Sequence, residues 1–164
     1  ELLLNPCLEE GLKPGERDRF IQAHQRPQPR LDVLPMLPEI WEKTGRIAGM
    51  DSSDGLADAV VQICRASGVG ARLDRDRIVI LPELVQITSP MQALEWALYG
   101  GEDFELVRCL PCVAAEQWVD KLGENAAIVG SIVADADAML VDKEGSIPDR
   151  PLVLDRGFAH FSAG

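Results

Sequence analysis

Residues 50–56 have the sequence Met50-Asp51-Ser52-Ser53-Asp54-Gly55-Leu56, a short acidic junction between an apolar run typical of a strand and a longer run typical of a helix. Asp51 and Asp54 are close enough in the chain for both carboxylates to point toward one spot beside the sheet, where a hard cation would bind. Gly55 permits a tight turn, and Ser53 or Asp54 can cap the helix that follows. The same pattern is also compatible with a helix cap that has no other role.

The hydrophobic pattern on both sides of this junction predicts alternating strands and helices. Strands are predicted at 47–50, 69–73, 104–110, 126–134 and 139–141, with 78–81 as a further strand or sheet edge. Helices are predicted at 15–24, 56–66, 91–99 and 113–122, and at 31–43, where two prolines should bend or break the helix. Helices between closely connected strands indicate an α/β or α+β domain.

Composition limits the functions that this chain can have. With 164 residues, 46% of them hydrophobic, it can form one globular domain with a proper core. Its net charge of −11 argues against nucleic acid and anionic membranes as partners. Apolar runs fall short of the roughly 20 residues that span a bilayer, and the N-terminus lacks a signal-peptide layout, so a cytoplasmic location is expected.

A second acidic turn, Gly100-Gly101-Glu102-Asp103-Phe104-Glu105-Leu106, follows the predicted helix at 91–99. Its two glycines could adopt positive φ and let the backbone approach a ligand closely. The acidic pair is predicted to enter the next strand, where Glu102 and Phe104 would face one side and Asp103 and Glu105 the other, so one side could serve a pocket. A helix C-cap followed by a solvated strand start is the simpler alternative.

Four motifs in this order closely resemble the C-terminal half of the thiamine-monophosphate kinase family, which belongs to the superfamily of aminoimidazole ribonucleotide synthetase. The motifs are Asp-x-Ser-Asp-Gly-Leu at 51–56, Ser-Gly-Val-Gly-Ala at 67–71, Gly-Gly-Glu-Asp-Phe-Glu-Leu at 100–106 and Gly-Phe-x-His-Phe at 157–161. The resemblance implies an α+β fold, a mixed sheet with helices packed on its faces, like the C-terminal domain of aminoimidazole ribonucleotide synthetase-related proteins.

The resemblance also implies roles for individual residues. Asp51 and Asp54 would ligate Mg²⁺, and Ser53 would contact the phosphate of ATP. Glu102 would accept a hydrogen bond from the aminopyrimidine of thiamine monophosphate, and Phe158 would pack on a ring of that substrate. The residue types suit these roles, because Mg²⁺ prefers carboxylates and an aromatic face suits a flat heterocycle.

In the reaction that the resemblance implies, the γ-phosphoryl group of ATP passes to the phosphate of thiamine monophosphate and gives thiamine diphosphate. The attacking phosphate is already anionic at neutral pH, so the sequence offers no residue as a catalytic base and none is needed. The difficulty of the reaction is to hold two mutually repelling anions in line, and metal ions meet that need.

By the same resemblance, residues 1–30 are a connector and helix left from a missing N-terminal ATP-binding domain, and residues 31–164 are the C-terminal domain. The chain starts with Glu1 instead of Met, which suggests a fragment. We expect the full-length enzyme to be a homodimer and this chain alone to be a poor catalyst or none. Ser52 replaces the branched apolar residue usual in the family and could loosen the turn.

Two other functions are considered. The domain could be a noncatalytic ligand-binding module of the same superfamily, although the retained acidic residues of both turns argue against it. Cys109-Leu110-Pro111-Cys112 lies between a predicted strand and a predicted helix, as in thiol redox proteins, although the acidic residues before it disfavour a reactive thiolate. Of the remaining candidates, His24 is interpreted as an ordinary polar residue, and Trp41, Trp96 and Trp118 as core residues.

Overall fold

The computed structural model describes residues 11–13 and 15–154 of the chain. Its α-helices are α1 (Glu16–Gln25), α2 (Leu37–Thr44), α3 (Leu56–Ser67), α4 (Pro82–Ile87), α5 (Pro90–Tyr99) and α6 (Cys112–Leu122). Short 3-10 helices lie at Leu31–Met36, Arg75–Arg77 and Gly123–Asn125. Its strands are β1 (Ala48–Asp51), β2 (Gly70–Asp74), β3 (Leu106–Cys109), β4 (Gly130–Val133), β5 (Ala138–Val141) and β6 (Arg150–Pro151). Within these ranges, none of the helices combines the length and the apolar character needed to cross a membrane.

The strands form two sheets. In the larger sheet the order is β4-β2-β5-β6, where β2 runs parallel to β5 and the other two pairs are antiparallel. In the smaller sheet β1 pairs with β3 in antiparallel fashion. The predicted α+β class with a mixed sheet and packed helices is confirmed, and the division into two sheets is the feature that the sequence pattern did not indicate.

The main core lies where α3 packs against the larger sheet and α5. Apolar residues recur on one face of α3 at helical spacing, which is why this segment is a helix and why that face is buried. Leu73 of β2, Leu98 of α5 and Cys64 of α3 are the largest side chains that are fully buried. A second core forms where the first 3-10 helix and α2 meet α6, around Val33, Ile40, Ala114 and Trp118.

One predicted strand and one predicted core residue are wrong. Residues 78–81 form no strand, because they connect the 3-10 helix Arg75–Arg77 to α4, which begins at Pro82. Trp41 is 59% exposed, whereas Trp118 is 8% exposed and does lie in the core as predicted. The apolar stripe of α2 is therefore wider than the surface that α6 covers.

Candidate functional site

The pairing of β1 with β3 brings the two acidic turns together. Asp51, the last residue of β1, pairs with Leu106, the first residue of β3. Beyond this pair, the Ser52 N–H donates to the Glu105 carbonyl at 2.8 Å. The Glu102 N–H donates to the Ser53 carbonyl at 2.7 Å. The first turn (residues 51–55) and the second turn (residues 100–105) therefore form one continuous site.

Ser52 is the most buried polar side chain of this site, with 3% of its surface exposed. Its hydroxyl group donates to Asp103 Oδ1 at 2.7 Å, and the Glu105 carbonyl oxygen lies 3.2 Å from the same hydroxyl. A hydroxyl has one proton to give, and the charged, closer oxygen of Asp103 is the stronger acceptor. The expectation that Ser52 could loosen the turn is wrong, since its side chain joins the first turn to the second.

The second turn has an unusual backbone. Glu102 and Phe104 have φ values of 68° and 54°, a left-handed conformation that costs a non-glycine residue about 1–2 kcal/mol. Gly100, by contrast, has φ −69°, and a side chain there would place its Cβ 2.4 Å from the Trp96 carbonyl oxygen. The predicted alternation of side chains along this segment is wrong, because the strand starts only at Leu106.

Gly55 shows how closely the first turn packs on the end of α5. Its φ of 107° lies in a region that side chains rarely adopt, and an added Cβ would lie 3.0 Å from the Leu98 carbonyl oxygen and 3.2 Å from that of Gly100. Glycine is thus required here both by the backbone conformation and by the lack of space. The contact fixes the start of α3 against the end of α5.

We expect Gly55→Ala to lower the free energy of unfolding by about 3 kcal/mol, because the substitution adds both backbone strain and a steric clash. Gly68→Ala is a control for positive φ without a clash: Gly68 has φ +65° in the left-handed helical region, which strains a side chain less than the conformation of Gly55, and an added Cβ would meet nothing within 4 Å. That control should cost about 1 kcal/mol, the strain alone. Urea denaturation of both variants measures the difference, and equal losses would show that α5 does not restrict the first turn.

The first turn carries the predicted metal ligands. Asp51 is exposed at the end of β1, and Asp54 is partly exposed just before α3. Hydrogen bonds from the Ser53 side chain and from backbone N–H groups lower the pKa of Asp51 below its ordinary value. The Asp51 carboxylate therefore stays ionised, as a metal ligand must, at a pH where an ordinary aspartate begins to take up a proton.

This donor set fits Mg²⁺ that is shared with a phosphate. Within the described part of the chain, no group of three or more His, Cys, Asp or Glu side chains could enclose a metal ion. Mg²⁺ does not need such a group, because it keeps several waters and usually binds one or two carboxylates together with substrate phosphates. Asp51 and Asp54 could supply that share of the ligands.

Helix α1 and the segment after it lie against the second turn. His24 Nε2 is 3.5 Å from Glu102 Oε2, and an Arg30 N–H donates to Glu105 Oε2 at 2.7 Å. Asp32 accepts two further hydrogen bonds from Arg30, and together these carboxylates raise the pKa of Arg30 above its ordinary value. Sequence reasoning did not identify His24 as a neighbour of Glu102, because the two residues are far apart in the chain and belong to no common motif.

The remaining predicted residues have different outcomes. Phe158 and the rest of its motif lie outside the described residues. Cys109 and Cys112 lie at the end of β3 and the start of α6, as predicted, and both are free thiols. Burial, with a smaller contribution from Cys64, raises the pKa of the Cys109 thiol. A reactive redox thiol needs a lowered pKa, so the environment of Cys109 disfavours the redox function.

The two sheets, the helices packed on them and the two joined acidic turns define an α+β domain whose candidate site lies at a strand-to-helix junction. The chain belongs to the family described as AIR synthase related protein, C-terminal domain, whose family model matches residues 8–143.

Two related sequences and one solved structure indicate the closer relationship. The thiamine-monophosphate kinase of Synechococcus elongatus is 46% identical over 152 residues, which are 89% of this chain and 43% of that protein. The thiamine-monophosphate kinase of Escherichia coli K12 is 32% identical over 151 residues, 90% of this chain and 44% of that protein. The structure of AaThiL complexed with AMPPCP and TMP superposes with a TM-score of 0.66 at 24% identity, over 92% of this chain and 45% of that one, and supports the fold. The chain thus spans less than half the length of these relatives.

Proposed function

We propose that this chain is the C-terminal part of an ATP-dependent kinase that phosphorylates thiamine monophosphate to thiamine diphosphate with Mg²⁺. The observation that carries the proposal is the joining of the two acidic turns by backbone hydrogen bonds. It brings the candidate metal and phosphate residues of the first turn next to the candidate substrate residue of the second. The 46% identity with a thiamine-monophosphate kinase supports this choice of substrate.

In this proposal the first turn serves the phosphates. Asp51 and Asp54 hold Mg²⁺, which neutralises the charge of the phosphates when it is bound. The Ser53 hydroxyl hydrogen-bonds Asp51 and lowers the pKa of that carboxylate. When ATP binds, Ser53 would turn its one proton from Asp51 to a phosphate of the nucleotide. The two functions of the turn are therefore linked through one serine.

The second turn recognises the acceptor substrate. Glu102 is partly exposed, with 40% of its side chain accessible, so its carboxylate can accept a hydrogen bond from the amino group of a pyrimidine. The left-handed backbone at Glu102 fixes the position of this residue, and strained residues of this kind concentrate at ligand-binding sites. Phe158 would add an aromatic face on the same substrate.

Catalysis by such a site consists of positioning. The phosphate of thiamine monophosphate attacks as an anion, so no residue of the chain has to remove a proton. The chain contributes a fixed distance between the turn that binds the phosphates and the turn that binds the pyrimidine. We assign no residue of this chain as a catalytic base or nucleophile.

The wider assignments are part of the same proposal. Residues 1–30 would be the connector and helix that follow an N-terminal ATP-binding domain, and 31–164 the C-terminal domain. The full-length enzyme would be a cytoplasmic homodimer that acts on small molecules and not on nucleic acid. The contacts of α1 with the second turn suggest that the connector also borders the substrate site.

The proposal is tested with the full-length protein, thiamine monophosphate, ATP and Mg²⁺, by measuring thiamine diphosphate directly. With the protein present, thiamine diphosphate should form only when thiamine monophosphate, ATP and Mg²⁺ are all added. Calorimetric titration with thiamine monophosphate on the same sample distinguishes the alternative: binding without product would indicate a noncatalytic module of the same superfamily. Absence of both binding and product would overturn the proposed substrate.

A further inference from the structure

The two turns share one buried contact that the proposed function does not yet use. Ser52 lies between the metal residues, yet its side chain is directed away from solvent and donates to Asp103 Oδ1 at 2.7 Å. The same Asp103 oxygen lies 3.4 Å from the Glu105 backbone nitrogen. Asp103 therefore accepts a hydrogen bond from the first turn and also contacts the backbone of its own turn.

Asp103 stands between the two residues of the second turn with left-handed backbone, Glu102 and Phe104. A non-glycine residue remains in this conformation only where its surroundings hold it. Two described contacts of this segment come from the first turn: the Ser53 carbonyl accepts from the Glu102 N–H, and the Ser52 hydroxyl donates to Asp103. His24 of α1 adds a side-chain contact to the Glu102 carboxylate. Asp103 is thus one of the points at which the first turn holds the backbone beside Glu102.

The chemistry of the pair suits a fixed link better than it suits ligand binding. The hydroxyl of Ser52 is buried and already donates its proton, so it has none left for a phosphate. Asp103 is exposed but sits in a short charge-assisted hydrogen bond, which is directional and stronger than a neutral one. Both features favour a role in holding the site together.

We propose that Ser52 and Asp103 are positioning residues that act through Glu102: their hydrogen bond sets the place of the substrate-reading carboxylate relative to the phosphate-binding turn. This inference rests on the proposed function, since it assigns the pair to recognition of thiamine monophosphate. It predicts that loss of the hydrogen bond selectively weakens the binding of thiamine monophosphate and leaves the binding of ATP unchanged.

The test is a double-mutant cycle in the full-length protein with Ser52→Ala, Asp103→Ala and the combined variant. Each single variant should raise the KM for thiamine monophosphate about tenfold, the loss expected for one hydrogen bond to a charged group, with less than about a twofold change in the KM for ATP. The combined variant should be no worse than either single one, because both remove the same bond. Asp103→Asn keeps an acceptor oxygen and should recover most of the affinity.

Two controls separate positioning from general damage. Ser131→Ala removes a hydroxyl from an exposed position of β4 and should leave every constant unchanged. In a Glu102→Ala background, Ser52→Ala should have no further effect on the KM for thiamine monophosphate. Additive losses in the cycle, equal losses for both substrates, or failure of Asp103→Asn to recover affinity would each overturn the positioning role.

A separate measurement tests whether Ser52 and Asp103 hold the second turn if the full-length protein shows no phosphate transfer to thiamine monophosphate. That result would overturn the proposed function, and amide hydrogen exchange would then report on the link itself. Exchange at Glu102 and Glu105 should be faster in Ser52→Ala and in Asp103→Ala than in the parent protein, and close to the parent in Asp103→Asn. Unchanged exchange in the two alanine variants would show that the pair does not hold the second turn.

Discussion

Asp51→Asn in the full-length protein should lower turnover about 100-fold and raise the Mg²⁺ concentration needed for half-maximal activity about tenfold. The physical reason is that the proposed site would lose one anionic ligand, where one or two carboxylates are expected to share the metal with phosphates. Asparagine keeps the size of the side chain but cannot supply the charge. A magnesium titration of the reaction at saturating substrates measures both effects.

Asp76→Asn is the matched control for this prediction, because it removes the same charge from an exposed residue of the 3-10 helix Arg75–Arg77. It should leave the magnesium titration unchanged, which excludes an effect of net charge alone. An unchanged magnesium titration in Asp51→Asn itself would reject Asp51 as a metal ligand. Asp54→Asn, measured in parallel, shows whether the second carboxylate of the turn contributes.

Most helices and strands of this fold could be predicted from the sequence because short-range signals determine them, whereas α4 and β6 were not predicted. The apolar face of α3, Pro90 at the start of α5 and Gly123 at the end of α6 all act within a few residues. The segment at 78–81 shows the limit of that reasoning. A run of four apolar residues is compatible with a buried strand. It is equally compatible with a connecting segment in which only the first residue, Ile78, is buried in the core.

The residue types of the candidate site could be listed from the sequence, but their spatial arrangement could not. Motif order suggested that both turns belong to one function, but their contact arises from the β1–β3 register, a long-range pairing that depends on the whole fold. The left-handed backbone fell on Glu102 and Phe104 instead of on the glycines beside them. Ser52 illustrates the same point: its departure from the family pattern suggested a looser turn, whereas its buried hydroxyl is bonded to Asp103 of the second turn.

Glu102→Ala in the full-length protein should raise the KM for thiamine monophosphate about 10- to 100-fold, the effect of losing one hydrogen bond to a charged acceptor. The KM for ATP should change little, because the residues proposed to contact ATP and its metal lie in the first turn. Glu102 is linked to that turn through its backbone N–H, which alanine retains. Initial-rate measurements with each substrate varied in turn separate the two constants.

The control for Glu102 is Glu116→Ala, which removes a carboxylate from an exposed position of α6 and should change neither constant. His24 offers a second check, because its imidazole lies 3.5 Å from the Glu102 carboxylate. Any change in KM caused by His24→Ala should be confined to thiamine monophosphate. Equal losses for both substrates in Glu102→Ala would reject its role in reading the pyrimidine. A selective loss would assign the second turn to the acceptor, because the only chemical change is one carboxylate whose backbone stays tied to the phosphate-binding turn.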